Sequence, residues 1–383
     1  MLEGLGRMDR QMGRKGENMT MDIRWARLVF PLRFNFKHAA AKRSKSSSIL
    51  VEVKAGPFRG YGEACPRPYV TGETEESVVA FLEKYGSEWV KSVRCIETLR
   101  NRVREEEDLI NKNPAAFSAL EVALIDILAQ KQNVPVETLL QLPLLKGHFQ
   151  YSAVLGDSSP LKTCALACIY RLIGFTDYKV KMGSNVERDH RRFESLPNNI
   201  RLRVDANNLY DDVDKCVNHF KDNNRKIWAI EEPLRIGDVE GQTQLAKLMK
   251  LRIILDESLL TKKELPLYED SSLGWIANVR VSKNGGILRS IELAQAAQER
   301  GMDVILGAHV GETSLLTRAA LTVGQALKKP AIAREGAFGK ILVTKDISDP
   351  SLRFGARGIV DAKRWNFADR PGLGLSVDPI EIF

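Results

Sequence analysis

Most of the chain alternates short apolar runs with longer amphipathic segments. From about Phe149 onward, eight runs of strand length recur, mostly separated by segments of helix length. Strands that alternate with helices favour a parallel sheet, whose strands are apolar because both faces are covered. Eight such units predict an α/β fold of the TIM-type (β/α) barrel class. The predicted strands are FQYSAVLG, DYKVKMG, IRLRVDAN, IWAIEEP, RIILDES, IANVRVSK, DVILGAHV and AIAREGAF.

The region before the barrel has a different order of elements. Two runs rich in β-branched and aliphatic residues, DIRWARLVFPL and SSILVEVKAG, predict strands. TGETEESVVAFLEKY then predicts a helix that begins at Thr71 or Thr74. NPAAFSALEVALIDILAQKQ predicts an apolar helix that ends before Asn133 and Pro135. Strands followed by helices predict an α+β domain.

These patterns divide the chain into four parts. Residues 1–21 lack the apolar core of a signal peptide and are expected to form a disordered leader. Residues 22–147 form the N-terminal α+β domain, and residues 148–350 form the barrel. Residues 351–383 are rich in turn residues and are expected to pack back on the domain and the barrel.

Composition excludes two classes of partner. The net charge of +8 comes from scattered basic residues, with only short bursts such as Lys42–Lys45, so no nucleic-acid partner is expected. No apolar run is long enough to span a bilayer, so no membrane partner is expected either. The five scattered cysteines are typical of a reduced, cytoplasmic protein. Cys164 and Cys168 lie on one face of a predicted helix, where we expect them to pack in the core.

Polar residues recur at the ends of the predicted barrel strands. From the second to the sixth strand they are separated by 24, 26, 25 and 24 residues, which places them at equivalent positions of successive strands. The carboxyl ends of barrel strands form the rim at which active sites are built. Charged residues also end strands for structural reasons, but three carboxylates in consecutive strands predict a site. The residues, from the second strand to the eighth, are Lys181, Asp205, Glu231, Asp256, Arg280, His309 and Glu335.

The three carboxylates favour a hard divalent cation. Mg²⁺ prefers oxygen ligands and keeps coordination positions for water or substrate, and Mn²⁺ is an alternative. Such a cation can hold a substrate carboxylate and stabilise the enolate that forms when an α-proton leaves. The base must then face the cation, and Lys181 is the candidate. Lys179 lies two residues earlier, on the same face of the strand.

Several motifs resemble the enolase superfamily, and in particular its mandelate racemase/muconate lactonizing enzyme subgroup. They are YKVKMG, RVDANNLY, IEEPL, LDESLL and NGG, while GYGEACPRPYVTGET and ALEVALIDILAQK resemble the capping domain and PGLGLSVD the tail of that family. The resemblance implies a modified barrel under an N-terminal capping domain. It also implies that Asp205, Glu231 and Asp256 bind Mg²⁺ and that Lys181 is an acid/base. Glu231 is preferred to Glu232 because it matches the first glutamate before proline.

One position departs from the family pattern. Where the subgroup carries a second lysine, on the sixth strand, this chain has Arg280. An arginine stays charged at ordinary pH, so it is a poor proton shuttle but a good bidentate anchor for a carboxylate. Lys283, just before the two glycines, is expected to be a rim or structural lysine.

Two further residues are assigned through the resemblance. Glu335 resembles the eighth-strand glutamate that faces the substrate carboxylate or the enolate. His309 ends the seventh strand, where mandelate racemases carry a catalytic histidine, although the aspartate that pairs with such a histidine is replaced by Arg280. The alternative for His309 is a hydrogen-bonded loop residue.

The main hypothesis is a Mg²⁺-dependent isomerase or lyase with one effective base, Lys181. Its reaction would be a cycloisomerisation or a syn-elimination, as in muconate cycloisomerase or o-succinylbenzoate synthase. One alternative is a racemase or epimerase of a carboxylic or amino acid derivative that uses Lys181 and His309. The D-x-D signature of dipeptide epimerases is absent from AREGAFGKIL, which counts against that substrate class. Another alternative is a metal- or ligand-binding homologue with impaired catalysis.

The sequence does not name the substrate. We expect a small-molecule carboxylate, selected by capping-domain loops at 34–44 and 65–72, and we expect a homo-oligomer. Lys, Arg and His in these loops favour an anionic or diacid substrate.

Overall fold

A computed structural model describes residues 20–38, 41–342 and 346–377. All but the last two residues of the predicted leader lie outside this part of the chain, as do the side chains of segment 34–44. Among the described residues, no helix combines the length and apolarity that crossing a membrane requires.

The N-terminal region is a three-stranded antiparallel sheet followed by helices. The strands are β1 Asp22–His38, β2 Ala41–Ala55 and β3 Phe58–Ala64, in the order β1-β2-β3. Thr74 accepts a hydrogen bond from Ser77 N and begins α2, as predicted for one of the two candidate caps. A π-helical turn, Leu82–Gly86, joins α2 to α3. The helices are α1 Pro68–Thr71, α2 Glu75–Phe81, α3 Ser87–Ser92, α4 Ile96–Glu105, α5 Glu107–Lys112, α6 Pro114–Lys131 and α7 Val136–Leu139.

The eight predicted barrel strands are confirmed. They form one parallel sheet in sequential order, and Ser152 N donates to Arg334 O at 2.8 Å, which joins the first strand region to the last. The strands are β5 Ala153–Leu155, β6 Asp177–Lys181, β7 Arg201–Asp205, β8 Ile227–Glu231, β9 Arg252–Leu255, β10 Ile276–Val279, β11 Asp303–Leu306 and β12 Ala333–Arg334. The helices between them are α8 Pro160–Ile173, α9 Val186–Glu194, α10 Val213–Phe220, α11 Val239–Met249, α12 Ile287–Glu299 and α13 Ser314–Gln325.

Short elements flank the barrel. Strand β4 His148–Gln150 precedes it and pairs with β14 Ile359–Asp361. Helix α14 Ala362–Trp365 follows β14, and β13 Ser348–Asp349 pairs with β15 Ser376–Val377. Four 3₁₀ turns complete the described structure: Leu265–Tyr268, Ser271–Leu273, Gly339–Ile341 and Ala356–Gly358.

The barrel interior is apolar on one side and charged on the other. On β8 to β12, five small or branched residues lie on the same strand faces as the predicted site residues. They form a cluster that is separate from the main core. On β6 and β7 the corresponding positions hold Lys179 and Arg203, both buried. Arg203 contacts Asp177 and donates to Glu335 Oε1 at 2.9 Å, so its charge is paired within the barrel. The apolar cluster comprises Ala229, Ile254, Ile276, Ile305 and Ala333.

Buried carboxylates join the N-terminal region to the barrel. Glu121 on α6 accepts hydrogen bonds from Ile287 N at 2.9 Å and Leu288 N at 2.8 Å, the first N–H groups of α12. Glu63 on β3 likewise accepts from Thr313 N at 2.9 Å, at the start of α13. Acceptors at these positions satisfy N–H groups that have no partner inside the helix. Gly286 permits the first contact, since a Cβ there would lie 2.5 Å from Glu121 Oε2.

The two cysteines of α8 correct one expectation. Cys168 is exposed and Cys164 is half-buried, so the prediction that both pack in the core was wrong for Cys168. The helical spacing placed both residues on one face, as expected, but that face is turned toward solvent beside Leu172.

A buried ion pair links α7 to α13. Arg318 donates from both terminal nitrogens to the two oxygens of Glu137, each at 2.8 Å, and its Nε donates to Leu373 O at 2.9 Å in the tail. We expect Arg318→Met to lower the free energy of unfolding by about 3–5 kcal/mol, because it leaves the buried Glu137 without its cationic partner. Urea denaturation measures this change. The matched control, Arg191→Met, breaks an exposed pair with Glu187 and should cost less than about 1 kcal/mol. Equal effects of the two variants would contradict the assignment.

Candidate active site

The three predicted metal ligands lie at the same end of the barrel. Asp205 and Glu231 are the last residues of β7 and β8 and pair in register, while Asp256 directly follows β9. All three side chains are 0% exposed. Parallel strands of equal register therefore bring together the carboxylates that the sequence periodicity selected.

Two cations bridge these carboxylates. Lys179 Nζ lies 2.9 Å from Asp205 Oδ2 and 2.8 Å from Glu231 Oε2. The Arg280 guanidinium contacts Asp256 and lies 3.3 Å from Glu231 Oε1. Burial raises the pKa of Glu231 to about 8, and the charge of Asp205 adds to the effect. The site thus concentrates negative charge that needs positive charge beside it.

Lys181 differs from Lys179 in its surroundings. Lys181 Nζ donates to Asp205 Oδ2 and to Asn207 Oδ1, each at 2.8 Å, and the residue lines the main pocket. Lys179 is enclosed by three carboxylates, those of Asp205, Glu231 and Glu335. Burial opposes its charge, but these carboxylates hold the pKa of Lys179 well above its usual value. The geometry favours Lys181 as the lysine that meets a substrate.

Arg280 and Lys283 hold Asp256 from different directions. Lys283 Nζ donates to Asp256 O at 2.7 Å, Asp256 Oδ1 at 3.0 Å and Asn278 O at 2.8 Å, and it is fully buried. Lys283 is therefore a structural lysine rather than a rim residue. Arg280 is 7% exposed and lines the pocket, with its charge stabilised by Asp256 and Glu231.

Glu335 is fixed by two cations. Its Oε1 lies 2.9 Å from Arg203 Nη2 and 3.0 Å from Lys179 Nζ. Burial alone would raise its pKa, but Lys179 and then Arg203 lower the pKa of Glu335 to about 2. Glu335 therefore stays ionised while it lines the pocket.

The pocket continues toward the loop that follows β11. His309 lines it and is buried, and its backbone N donates to Glu312 Oε2 at 3.0 Å. Tyr69, from the segment 65–72 that the sequence assigned to specificity, lines the same pocket. Phe338 and Leu342 supply apolar wall on the far side.

Sequence reasoning missed several residues that complete the site. Glu232 accepts hydrogen bonds from Asp256 N at 2.6 Å and Ser258 N at 2.8 Å, so it orients the loop that carries Asp256. Asn278 donates to Glu231 Oε1 at 3.0 Å. The signals were weak: Glu232 stands beside the chosen glutamate, and Asn278 lies two residues before Arg280 on the same strand face.

The donor set fits a hard divalent cation. Within residues 20–38, 41–342 and 346–377, no three His, Cys, Asp or Glu side chains converge as a ready metal site, and Asp205, Glu231 and Asp256 instead share Lys179 and Arg280. A metal ion would compete with these cations for the same oxygens. All three donors are carboxylates, whose oxygens are the ligands that Mg²⁺ prefers.

Comparison with known proteins assigns the family. Residues 165–381 match the family described as enolase C-terminal domain-like, and residues 21–141 match the mandelate racemase/muconate lactonizing enzyme N-terminal domain. The chain therefore belongs to the enolase superfamily of enzymes, within the mandelate racemase/muconate lactonizing enzyme subgroup. The modified barrel with its capping domain is confirmed by the same matches.

The relatives with similar sequences include epimerases and racemases. The chain is 29% identical to the L-Lys-D/L-Arg epimerase of Methylococcus capsulatus, over 90% of this chain and 96% of that protein. It is 26% identical to the N-succinyl-L-Arg/Lys racemase of Bacillus cereus, over 91% and 92% of the two chains. A dipeptide epimerase from Methylococcus capsulatus, solved with Mg and the dipeptide L-Arg-D-Lys, has a TM-score of 0.79 and 28% identity, with 94% and 100% coverage.

The acidic cluster predicts a defined effect on metal binding. Asp256→Asn removes the charge of one candidate ligand, so we expect Mg²⁺ affinity to fall at least about tenfold, the loss that even an outer partner of a metal can cause. Titration calorimetry measures it. Asp303→Asn is the matched control, because Asp303 pairs with Arg252 at the opposite end of its strand. Unchanged Mg²⁺ affinity in Asp256→Asn would exclude Asp256 as a ligand.

Proposed function

We propose that the protein is a Mg²⁺-dependent epimerase or racemase that inverts the α-carbon of an amino acid derivative with a free carboxylate, such as a dipeptide or an N-acylated amino acid. The similarity to an epimerase and a racemase of this type supports the substrate class. The proposal therefore prefers an epimerase or racemase, with acid/base groups on both faces of the substrate, to a cycloisomerase or lyase with one base.

The observation that carries the proposal is the placement of ionisable groups around the pocket. Lys181 comes from the second barrel strand, whereas Arg280 and His309 follow the sixth and seventh. In a closed eight-stranded barrel, the second and sixth strands lie on opposite sides of the axis. A substrate between them therefore meets a positive or proton-carrying group on each face.

Each group takes a role that its contacts allow. Lys181 Nζ removes the α-proton from one face, and its hydrogen bonds to Asp205 and Asn207 aim it. His309 returns a proton from the other side, because an imidazole can exchange protons near neutral pH. Arg280 stays charged and offsets the carboxylates while it anchors the substrate anion.

The metal, held by Asp205, Glu231 and Asp256, would supply stabilisation for the negative charge that develops on the substrate carboxylate. Glu335, fixed by Lys179 and Arg203, stays ionised and helps to orient the substrate. Buried, pre-aimed charges of this kind act strongly because little reorganisation is needed at the moment of reaction.

We expect Lys181→Ala to reduce turnover by about 10²–10⁴-fold, the usual contribution of a general acid/base. The measurement is epimerisation of a dipeptide panel followed by chiral chromatography. Far-ultraviolet circular dichroism should stay unchanged and Mg²⁺ should still bind, at least as tightly because Asp205 Oδ2 loses a competing cation, which separates lost chemistry from lost fold. Most of the wild-type rate in Lys181→Ala would place the base elsewhere.

Exchange of the α-proton in D₂O distinguishes an enzyme with acid/base groups on both faces of the substrate from one with a group on a single face. We expect the wild type to incorporate deuterium into both epimers of the substrate. In His309→Asn, exchange should remain in one epimer, and the rate of inversion should fall at least about 10²-fold because one of the two acid/base groups is missing. Proton NMR follows both. If the wild type exchanges the α-proton without inversion, the second face lacks an acid/base group. The one-base cycloisomerase or lyase, favoured by Arg280 in place of lysine, would then be the better function.

A further inference from the structure

One acidic side chain of the pocket is not used by the proposed chemistry. Glu312 lies in the loop between β11 and α13 and lines the same pocket as Lys181 and Arg280. Its Oε2 accepts the His309 backbone N–H at 3.0 Å, which fixes the side chain. Its Oε1 lies 3.4 Å from the point that a Cβ on Gly336 would occupy, beside the end of β12.

The Glu312 carboxyl has no ion-pair partner among the described residues. Within the described part of the chain, no Lys, Arg or His side chain forms an ion pair with it, and Arg280 and Arg67 act only at longer range. Burial raises the pKa of Glu312 to about 8, and the nearby Glu63 adds to this. A half-buried carboxyl group without a counter-ion gains from a cation that arrives with a ligand.

The other acids of the pocket are already engaged. Glu335 is held between Lys179 and Arg203. Glu257 directly follows Asp256 and lies in the field of Arg280, so it belongs to the reaction centre. Glu312 differs from these acids in its contacts: among the described residues its side chain accepts the His309 backbone N–H and forms no hydrogen bond or ion pair with a candidate metal ligand.

The space around Glu312 suits an extended group. Val310, Phe338 and Leu342 line the pocket with apolar surface. Gly336 has a φ of +96°, which glycine adopts without strain, and a side chain there would fill the space beside Glu312 Oε1. An aliphatic stem with a cationic end would satisfy both the apolar wall and the carboxylate.

We propose that Glu312 binds a cationic group of the substrate, an ammonium or a guanidinium, while Arg280 binds the substrate carboxylate. This orientation rests on the proposed function; the recognition of a cation by Glu312 does not. Glu312 is thus a specificity-determining residue that selects substrates with positive charge remote from the reacting carboxylate.

Calorimetric binding in the presence of Mg²⁺ tests this without turnover. The probes are N-acetyl-L-lysine, with a side-chain cation, L-alanyl-L-norleucine, with only an α-ammonium, and N-acetyl-L-norleucine, with neither. We expect the wild type to bind at least one cationic probe roughly 10- to 100-fold more tightly than the neutral probe, as a charge-assisted hydrogen bond in a buried site allows. The cationic probe that shows the preference identifies which ammonium Glu312 receives.

Glu312→Gln should abolish this preference and leave the binding of N-acetyl-L-norleucine unchanged. Glutamine keeps an oxygen acceptor for the His309 N–H, so the loop is preserved. Glu312→Asp retains the charge and should restore part of the preference. Glu299→Gln, at a surface ion pair with Lys328, is the matched control and should behave as the wild type.

The inference is overturned if the wild type shows no preference for either cationic probe, or if Glu312→Gln keeps the preference. Its failure is distinct from failure of the proposed function. Epimerisation of N-acetyl-L-norleucine and of both cationic probes at equal rates would reject the role of Glu312 alone. A binding preference lost in Glu312→Gln, in an enzyme that inverts no α-carbon, would reject the epimerase alone.

Discussion

The structure depends on the pairing of buried charge at one end of the barrel. Asp205, Glu231 and Asp256 are fully buried, and carboxylates this close together cannot all stay ionised without positive charge between them. Lys179 and Arg280 supply that charge within the protein. The same arrangement makes the site receptive to a divalent cation, because the oxygens already converge on positive groups. Stability and chemistry thus draw on one set of side chains.

Further buried ion pairs lie in the barrel interior below the site. Arg203 occupies the barrel interior, where branched aliphatic residues are usual, and connects Asp177 to Glu335. Glu335 in turn contacts Lys179, which contacts Glu231. Each ion in this series from Asp177 to Glu231 has a partner of opposite sign, so breaking one pair would leave a neighbour uncompensated. The interior is therefore specified by charge pairing on one side and by packing on the other.

The N-terminal region shapes the pocket through rigid contacts with the barrel. Glu121 and Glu63 cap α12 and α13, the helices that follow the sixth and seventh strands. Those strands lead into the loops that hold Arg280, His309 and Glu312. A capping domain that holds the helices at their first N–H groups also fixes the loops just before them. Substrate selection at this mouth can change through loop residues while the ion pairs beneath are kept.

The sequence by itself determined the class of fold and the positions of the three candidate metal ligands. Strand-length runs at a regular interval fix a parallel barrel, and the period of about 25 residues places Asp205, Glu231 and Asp256 at equivalent strand ends. Those positions follow from local register, which the chain encodes directly. Tertiary structure decided the contacts of similar residues: Lys179 is enclosed by carboxylates whereas Lys181 faces the pocket, and Lys283 holds Asp256 from within the core. It also brought Glu312 into the pocket and turned Cys168 outward. These outcomes depend on contacts between strands and loops that are far apart in the chain. A local sequence pattern does not specify which distant side chain will contact a given residue.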